Sequence, residues 1–116
     1  MKLKTGTGDV YFNLQLISQV YLSPDRSLLT VHFVNGTIFA APVETDEDRT
    51  HLADFLGQLA DERSGFIAVG KELLNLKSAL WISIPDEGPI QVRLTDSRSH
   101  SLPDEDPERI RRVLGE

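Results

Sequence analysis

The sequence predicts an α+β fold, mainly antiparallel β, in which two tandem β-meander-plus-helix units pack into one compact domain. Three observations lead there. Short apolar runs alternate with polar residues at a period of two, the mark of half-buried strands. Turn-forming residues interrupt the runs at close spacing: Ser23-Pro24-Asp25-Arg26, Asn35-Gly36 and Pro85-Asp86-Glu87-Gly88. Two segments also share a plan, NLQLISQVYLSPDR at 13–26 and NLKSALWISIPDEG at 75–88, each running from Asn-Leu to Pro-Asp.

The first unit covers residues 10–63. Ser18, Val20 and Leu22 are expected on one face of its first strand, and Pro24-Asp25 turns the chain. Leu29, Val31 and Phe33 then alternate with Thr30 and His32. Asn35-Gly36 makes a hairpin because both residues tolerate positive φ. The third strand, 37–42, closes on Pro42, which cannot donate to a ladder. Thr45 and Asp48 form a Thr-x-x-Asp capping box, and acids crowd the first helical turn, where the helix dipole favours them. Leu52, Phe55, Leu56 and Leu59 give the helix its apolar stripe, and Gly65 is its expected stop.

Residues 64–76, SGFIAVGKELLNL, are apolar enough for one or two short strands and lack the composition of a flexible linker. Residues 1–116 therefore read as a single domain. The second unit covers 66–115. Leu80, Ile82 and Ile84 share one face of its first strand; Ile90, Val92 and Leu94 alternate with Gln91 and Arg93. Asp96-Ser97 is a weaker turn before a third strand at 98–103. Asp106 caps the last helix, Pro107 suits its first position, Ile110, Val113 and Leu114 form the stripe, and Gly115 ends it.

Composition excludes whole classes of chemistry. With no cysteine, disulfides, Cys-ligated zinc, iron–sulfur clusters and thiol catalysis drop out together. No apolar run approaches the ~18 residues of a membrane helix, and MKLKTGTGDVYF has no apolar core of a signal peptide. No membrane association and a cytoplasmic location are expected. The 12 basic and 18 acidic residues give a net charge of −6, and neither side of Ser64 is basic. That balance disfavours nucleic acid as a partner.

Catalytic and metal-binding patterns are not found. His32, His51 and His100 share no ligand-type spacing, so no metal or cofactor is expected. There is no G-x-S-x-G elbow, and Gly70-Lys71-Glu72 lacks the remaining features of a phosphate loop. The carboxylates at 44–48 and 104–108 cluster where capping already accounts for them. The chain reads as non-enzymatic.

The aromatics point to a surface. If Val20 and Ile82 face the core, then Gln19 with Tyr21, and Trp81 with Ser83, share the opposite faces, with His32 and Arg93 on neighbouring strands. Such a face is either covered by the other unit or a helix, or open to a partner. Tyr21, His32, Trp81 and Arg93 are the candidate interaction patch.

The stretch from Phe66 to Leu76, FIAVGKELLNL, followed by Leu94-Thr95-Asp96-Ser97, resembles LytTR-type DNA-binding domains. In those domains a segment of the form F-I-R-V-H-R-S-Y-L-V-N-L precedes a second hairpin ending in L-x-D-G. The resemblance spans roughly residues 10 to 114 and implies the family's fold. The family's His-Arg-Ser, which approaches DNA, reads Gly70-Lys71-Glu72 here, one residue is missing before Asn75, and the later Ser-Arg reads Pro103-Asp104. Position by position, only Lys71 carries over, as a phosphate contact.

Two functions follow as expectations. The first is a small module acting through protein–protein contact or self-association, to which exposed strand edges and negative charge lend themselves. The alternative is a LytTR-like nucleic-acid-binding regulatory domain using Lys71, Lys77, Arg93 and Arg98. Arg109, Arg111 and Arg112 form either a separate patch or a solvated helix end whose cations suit the dipole.

Overall fold

The N-terminal residues, expected only not to be a leader, form a hairpin. In the computed structural model, which describes residues 1–95 and 99–115, β1 (Lys2–Thr5) pairs antiparallel with β2 (Gly8–Tyr11). Leu3 and Val10, cross-strand partners, are its inward side chains. One such pair is too short an alternation to register as a period.

A 3-10 turn, Leu14–Leu16, leads into β3 (Ile17–Leu22), β4 (Leu28–Phe33) and β5 (Ile38–Pro42). A bulge between Ile17 and Gln19 shifts the alternation, so Ile17 rather than Ser18 joins Val20 and Leu22 at the core. Ser18 is buried too, its hydroxyl donating to the His32 carbonyl oxygen (3.1 Å). At the Pro24-Asp25 turn the Asp25 carboxylate accepts from the Ser23 and Ser27 hydroxyls and the Ser27 N–H. Those bonds hold its carboxyl below the usual carboxylate range, the Ser27 hydroxyl contributing most.

The helix α1 (Asp46–Leu59) starts at the expected capping box. Thr45 Oγ1 accepts from the Asp48 N–H (3.0 Å), and Asp48 Oδ2 accepts from the Thr45 N–H (3.2 Å). The helix ends at Leu59, six residues before Gly65, because a further 3-10 turn, Glu62–Ser64, intervenes. Leu52, Phe55 and Leu59 are buried. With Phe12, which contacts the rings of Phe33, Phe39 and Phe55, they build a first core between α1, β1–β2 and the strands.

Residues 66–76 supply β6 (Phe66–Val69) and β7 (Glu72–Asn75). Their hairpin adds to β3, completing a five-stranded sheet of order β5-β4-β3-β7-β6. A 3-10 turn, Leu76–Ser78, then leads to β8 (Trp81–Ser83), β9 (Ile90–Arg93) and β10 (Ser99–Leu102), which form a separate three-stranded sheet, and to α2 (Pro107–Val113). The Asp96-Ser97 turn lies outside the described residues.

The order 3-10 turn, three strands, helix occurs twice, and both turns start from an asparagine cap. Asn13 and Asn75 have nearly equal dihedrals (φ −86°, ψ 106° and φ −87°, ψ 101°), and each side chain accepts from the N–H two residues on. Their surroundings differ. Asn13 is exposed, whereas Asn75 is 2% exposed and its Nδ2 donates to the Leu14 and Ile17 carbonyl oxygens, tying the second turn to the first. A second core forms where Ile67 and Leu74 meet Ile90, Val92, Leu94, Leu102, Ile110 and Val113.

Candidate nucleic-acid interface

Strict alternation in the three-stranded sheet sorts its side chains. Ile82, Ile90, Val92 and Leu102 turn inward to the second core. The register pairs Trp81 with Arg93 and Arg93 with Ser99, and next to them Ser83 with Gln91 and Gln91 with Ser101. These six residues share the outward face. Trp81 is 50% exposed and all three serines are exposed. The Arg93 guanidinium donates to the Ser99 hydroxyl (3.0 Å), and Gln91 Nε2 donates to the Ser101 hydroxyl (3.3 Å). Among the described residues the face is hydroxyl-lined, with one aromatic, one cation and no carboxylate in its ladder.

The four patch candidates therefore divide. Trp81 and Arg93 are cross-strand neighbours on this open face. Tyr21 and His32 sit on the second face of the five-stranded sheet, where Tyr21 lies between Thr30 and Glu72, and His32 pairs with Gln19. That face is partly covered by the second sheet. Gln19 is 1% exposed, and the Glu72 carboxylate receives its Nε2 at 3.4 Å and has the His100 ring at 3.9 Å.

The cation candidates also separate. Lys71, in the turn between β6 and β7, lies at the lip of a cleft of about 280 Å³ lined by Val20, Leu22, Leu56, Ala60 and Leu73. Lys77 lies beyond the other end of β7, its Nζ donating to the Arg63 carbonyl oxygen (3.2 Å). Arg98 lies outside the described residues. Of the third group, Arg109 pairs with Glu105 (2.8 Å) and Arg111 with Glu108 (2.6 Å).

Several acids are taken up in caps and local pairs. Asp46, Glu47 and Asp48 lie in the first turn of α1, where Arg49 pairs with Asp46 and His51 approaches Glu47. The N–H groups of Glu44 and Thr45 hold the Asp48 carboxyl below the usual range. Arg63, by its side chain first and its N–H second, does the same for Asp61. These acids are engaged in caps and local pairs on other elements, whereas Asp86 and Glu87 lie in the turn that joins β8 to β9. Among the described residues no group of histidines and carboxylates gathers as a metal site, and no helix is long and apolar enough to cross a membrane.

Ser99 and Ser101 escaped the sequence reading. Their signal is the alternation with His100 and Leu102, which gains meaning only from the register of the strand against Gln91 and Arg93.

Fold and face together describe an α+β domain with a surface site rather than an enclosed one. No protein-family model matches the chain, and no curated protein sequence matches it significantly. A solved structure does match in fold. The LytTr DNA-binding domain of a methyl-accepting/DNA response regulator from Bacillus cereus is similar with a TM-score of 0.55 and 14% identity, over 100% of this chain and 96% of that one. The chain has a LytTr-type fold along its whole length.

That finding corrects two expectations. A module acting through protein–protein contact or self-association, with a protein as its partner, gives way to the nucleic-acid alternative, since the matching domain is described as DNA-binding. The physical reason for the error lies in the charge. A net −6 is a sum over the surface and says nothing of where the acids lie.

Proposed function

We propose that this protein is a non-enzymatic regulatory domain that binds DNA. The observation that carries the reading is the whole-length likeness to a LytTr DNA-binding domain; because one fold hosts many functions, the local chemistry has to agree. It does so on the outward face of β8–β10. Arg93 suits a phosphate oxygen, Gln91 and the hydroxyls of Ser83, Ser99 and Ser101 are donors of the kind that position a backbone, and among the described residues of that face's ladder no carboxylate opposes them. Lys71 and Lys77, at opposite ends of β7 in the other sheet, are separate candidates, and Arg98 joins the set from the sequence. The reading places the protein with DNA in the cytoplasm.

A mobility shift with random-sequence duplex DNA at low salt tests it. Retardation at tens of micromolar protein is expected, since non-specific affinities fall in the range of about 10⁻⁴ to 10⁻⁶ M. Arg93→Glu should weaken it, whereas Arg109→Glu, at a residue already paired with Glu105, should not. Absence of any retardation at low salt, with duplex and with single-stranded DNA alike, sinks the reading.

A further inference from the structure

We infer that the outward face of β8–β10 takes single-stranded DNA, stacking an unpaired base on Trp81 while Arg93 holds the adjacent phosphate. The inference rests on the DNA-binding reading and specifies the form of DNA this face accepts. Three observations support it.

The first is the ring itself. Trp81 stands half exposed on β8, an edge strand, and the ring–ring contacts among the described residues all belong to Phe12. Across the strand the Arg93 guanidinium donates to the Ser99 hydroxyl on the far side (3.0 Å), away from Trp81. Arg93 and Trp81 are opposite residues in the ladder, with Cβ atoms roughly 5 Å apart, so one nucleotide can reach both.

The second is shape. Reading duplex DNA requires an element that enters a groove. Among the described residues the floor is made by Ser83, Ser99 and Ser101, whose side chains are short, and Trp81, Gln91 and Arg93 stand above it. In a duplex the base faces are already stacked on one another; a single strand offers them.

The third is charge. The face carries one cation among its described residues, on a chain of net −6, so phosphate attraction alone is weak. Base–aromatic stacking adds affinity without needing charge and tolerates any base.

Trp81 is the single tryptophan of the chain, so its emission reports this face directly. The full chain is titrated with an oligonucleotide of about 12 nucleotides, within the span single-strand binders cover, and separately with the matching duplex. The single strand is expected to quench Trp81 emission and to bind more tightly than the duplex. Followed by anisotropy of a labelled strand, Trp81→Ala should lose about 5- to 150-fold in affinity, and Trp81→Phe should retain most of it. Far-UV circular dichroism checks that both variants fold. Equal binding of strand and duplex with unchanged emission, or unchanged affinity in Trp81→Ala, overturns the inference and leaves the DNA reading standing. Failure to bind either DNA at low salt removes both.

Discussion

Replacing Asn75 with alanine, alongside the same change at Asn13, separates what the two Asn-Leu pairs do. Both asparagines cap a 3-10 turn with almost the same dihedrals. Asn13 makes one exposed side-chain hydrogen bond, accepting from the Gln15 N–H at 3.1 Å. Asn75 makes three: it accepts from the Lys77 N–H (3.1 Å) and donates to the carbonyl oxygens of Leu14 (2.9 Å) and Ile17 (2.8 Å). In the alanine variant Leu14 O still receives the Ile17 N–H, and Ile17 O still receives the Ser78 hydroxyl. Neither carbonyl is orphaned, so the loss stays near the net value of the bonds, about 1 kcal/mol each. Asn75→Ala should then cost about 3 kcal/mol and Asn13→Ala about 0.5–1 kcal/mol. At roughly 4 °C per kcal/mol for a domain of this size, the melting temperatures should fall by about 12 °C and 2–4 °C. Urea unfolding followed by far-UV circular dichroism measures both. If the two variants fall within experimental error of one another, burial is not what distinguishes the two caps.

Two further outcomes are expected. Gly65 has φ +90°, and a Cβ there would lie 2.8 Å from Lys77 Cδ; the flexible lysine can move, so the backbone dominates, and Gly65→Ala should destabilise by about 1–2 kcal/mol in the same assay. Asp48 titrates below its ordinary value because the Glu44 and Thr45 N–H groups bond its charged form. Its stabilisation is complete above the unfolded carboxyl value near 3.9 and is lost as pH falls through the lower folded value. Asp48→Asn should therefore flatten the fall of the urea midpoint with acid, leaving the share carried by Asp25 and Asp61, and an unchanged slope in that variant would refute the assignment.

Much of the fold was legible. Thr45 and Asp48 announced their capping box, Asp106 and Pro107 the start of α2, and the alternations at 28–33 and 90–93 their strands, because each signal lies within a few residues. Misreadings arose where a distant partner decided the outcome. Ile17 replaced Ser18 at the core because the bulge is set by pairing with Phe33 and His32. Leu80, expected inward beside Ile82, is 62% exposed because it precedes the strand and its N–H bonds the Arg93 carbonyl. Within the candidate site, Trp81 and Arg93 were legible as outward residues, but grouping them with Tyr21 and His32 was not justified, since the latter pair lies on another sheet.

By itself the sequence determined the class of fold, the strand and helix order within β3–α1 and β8–α2, and the absence of cysteine chemistry, all of which follow from local periodicity, turn residues and composition. The tertiary structure decided that β6 and β7 join the first sheet, which leaves β8–β10 as a separate sheet with an uncovered face. It also decided that Asp46, Asp48, Glu105 and Glu108 are taken up in caps and local pairs. Both depend on contacts between residues far apart in the chain, and a sheet's two faces acquire different fates only when something packs on one of them.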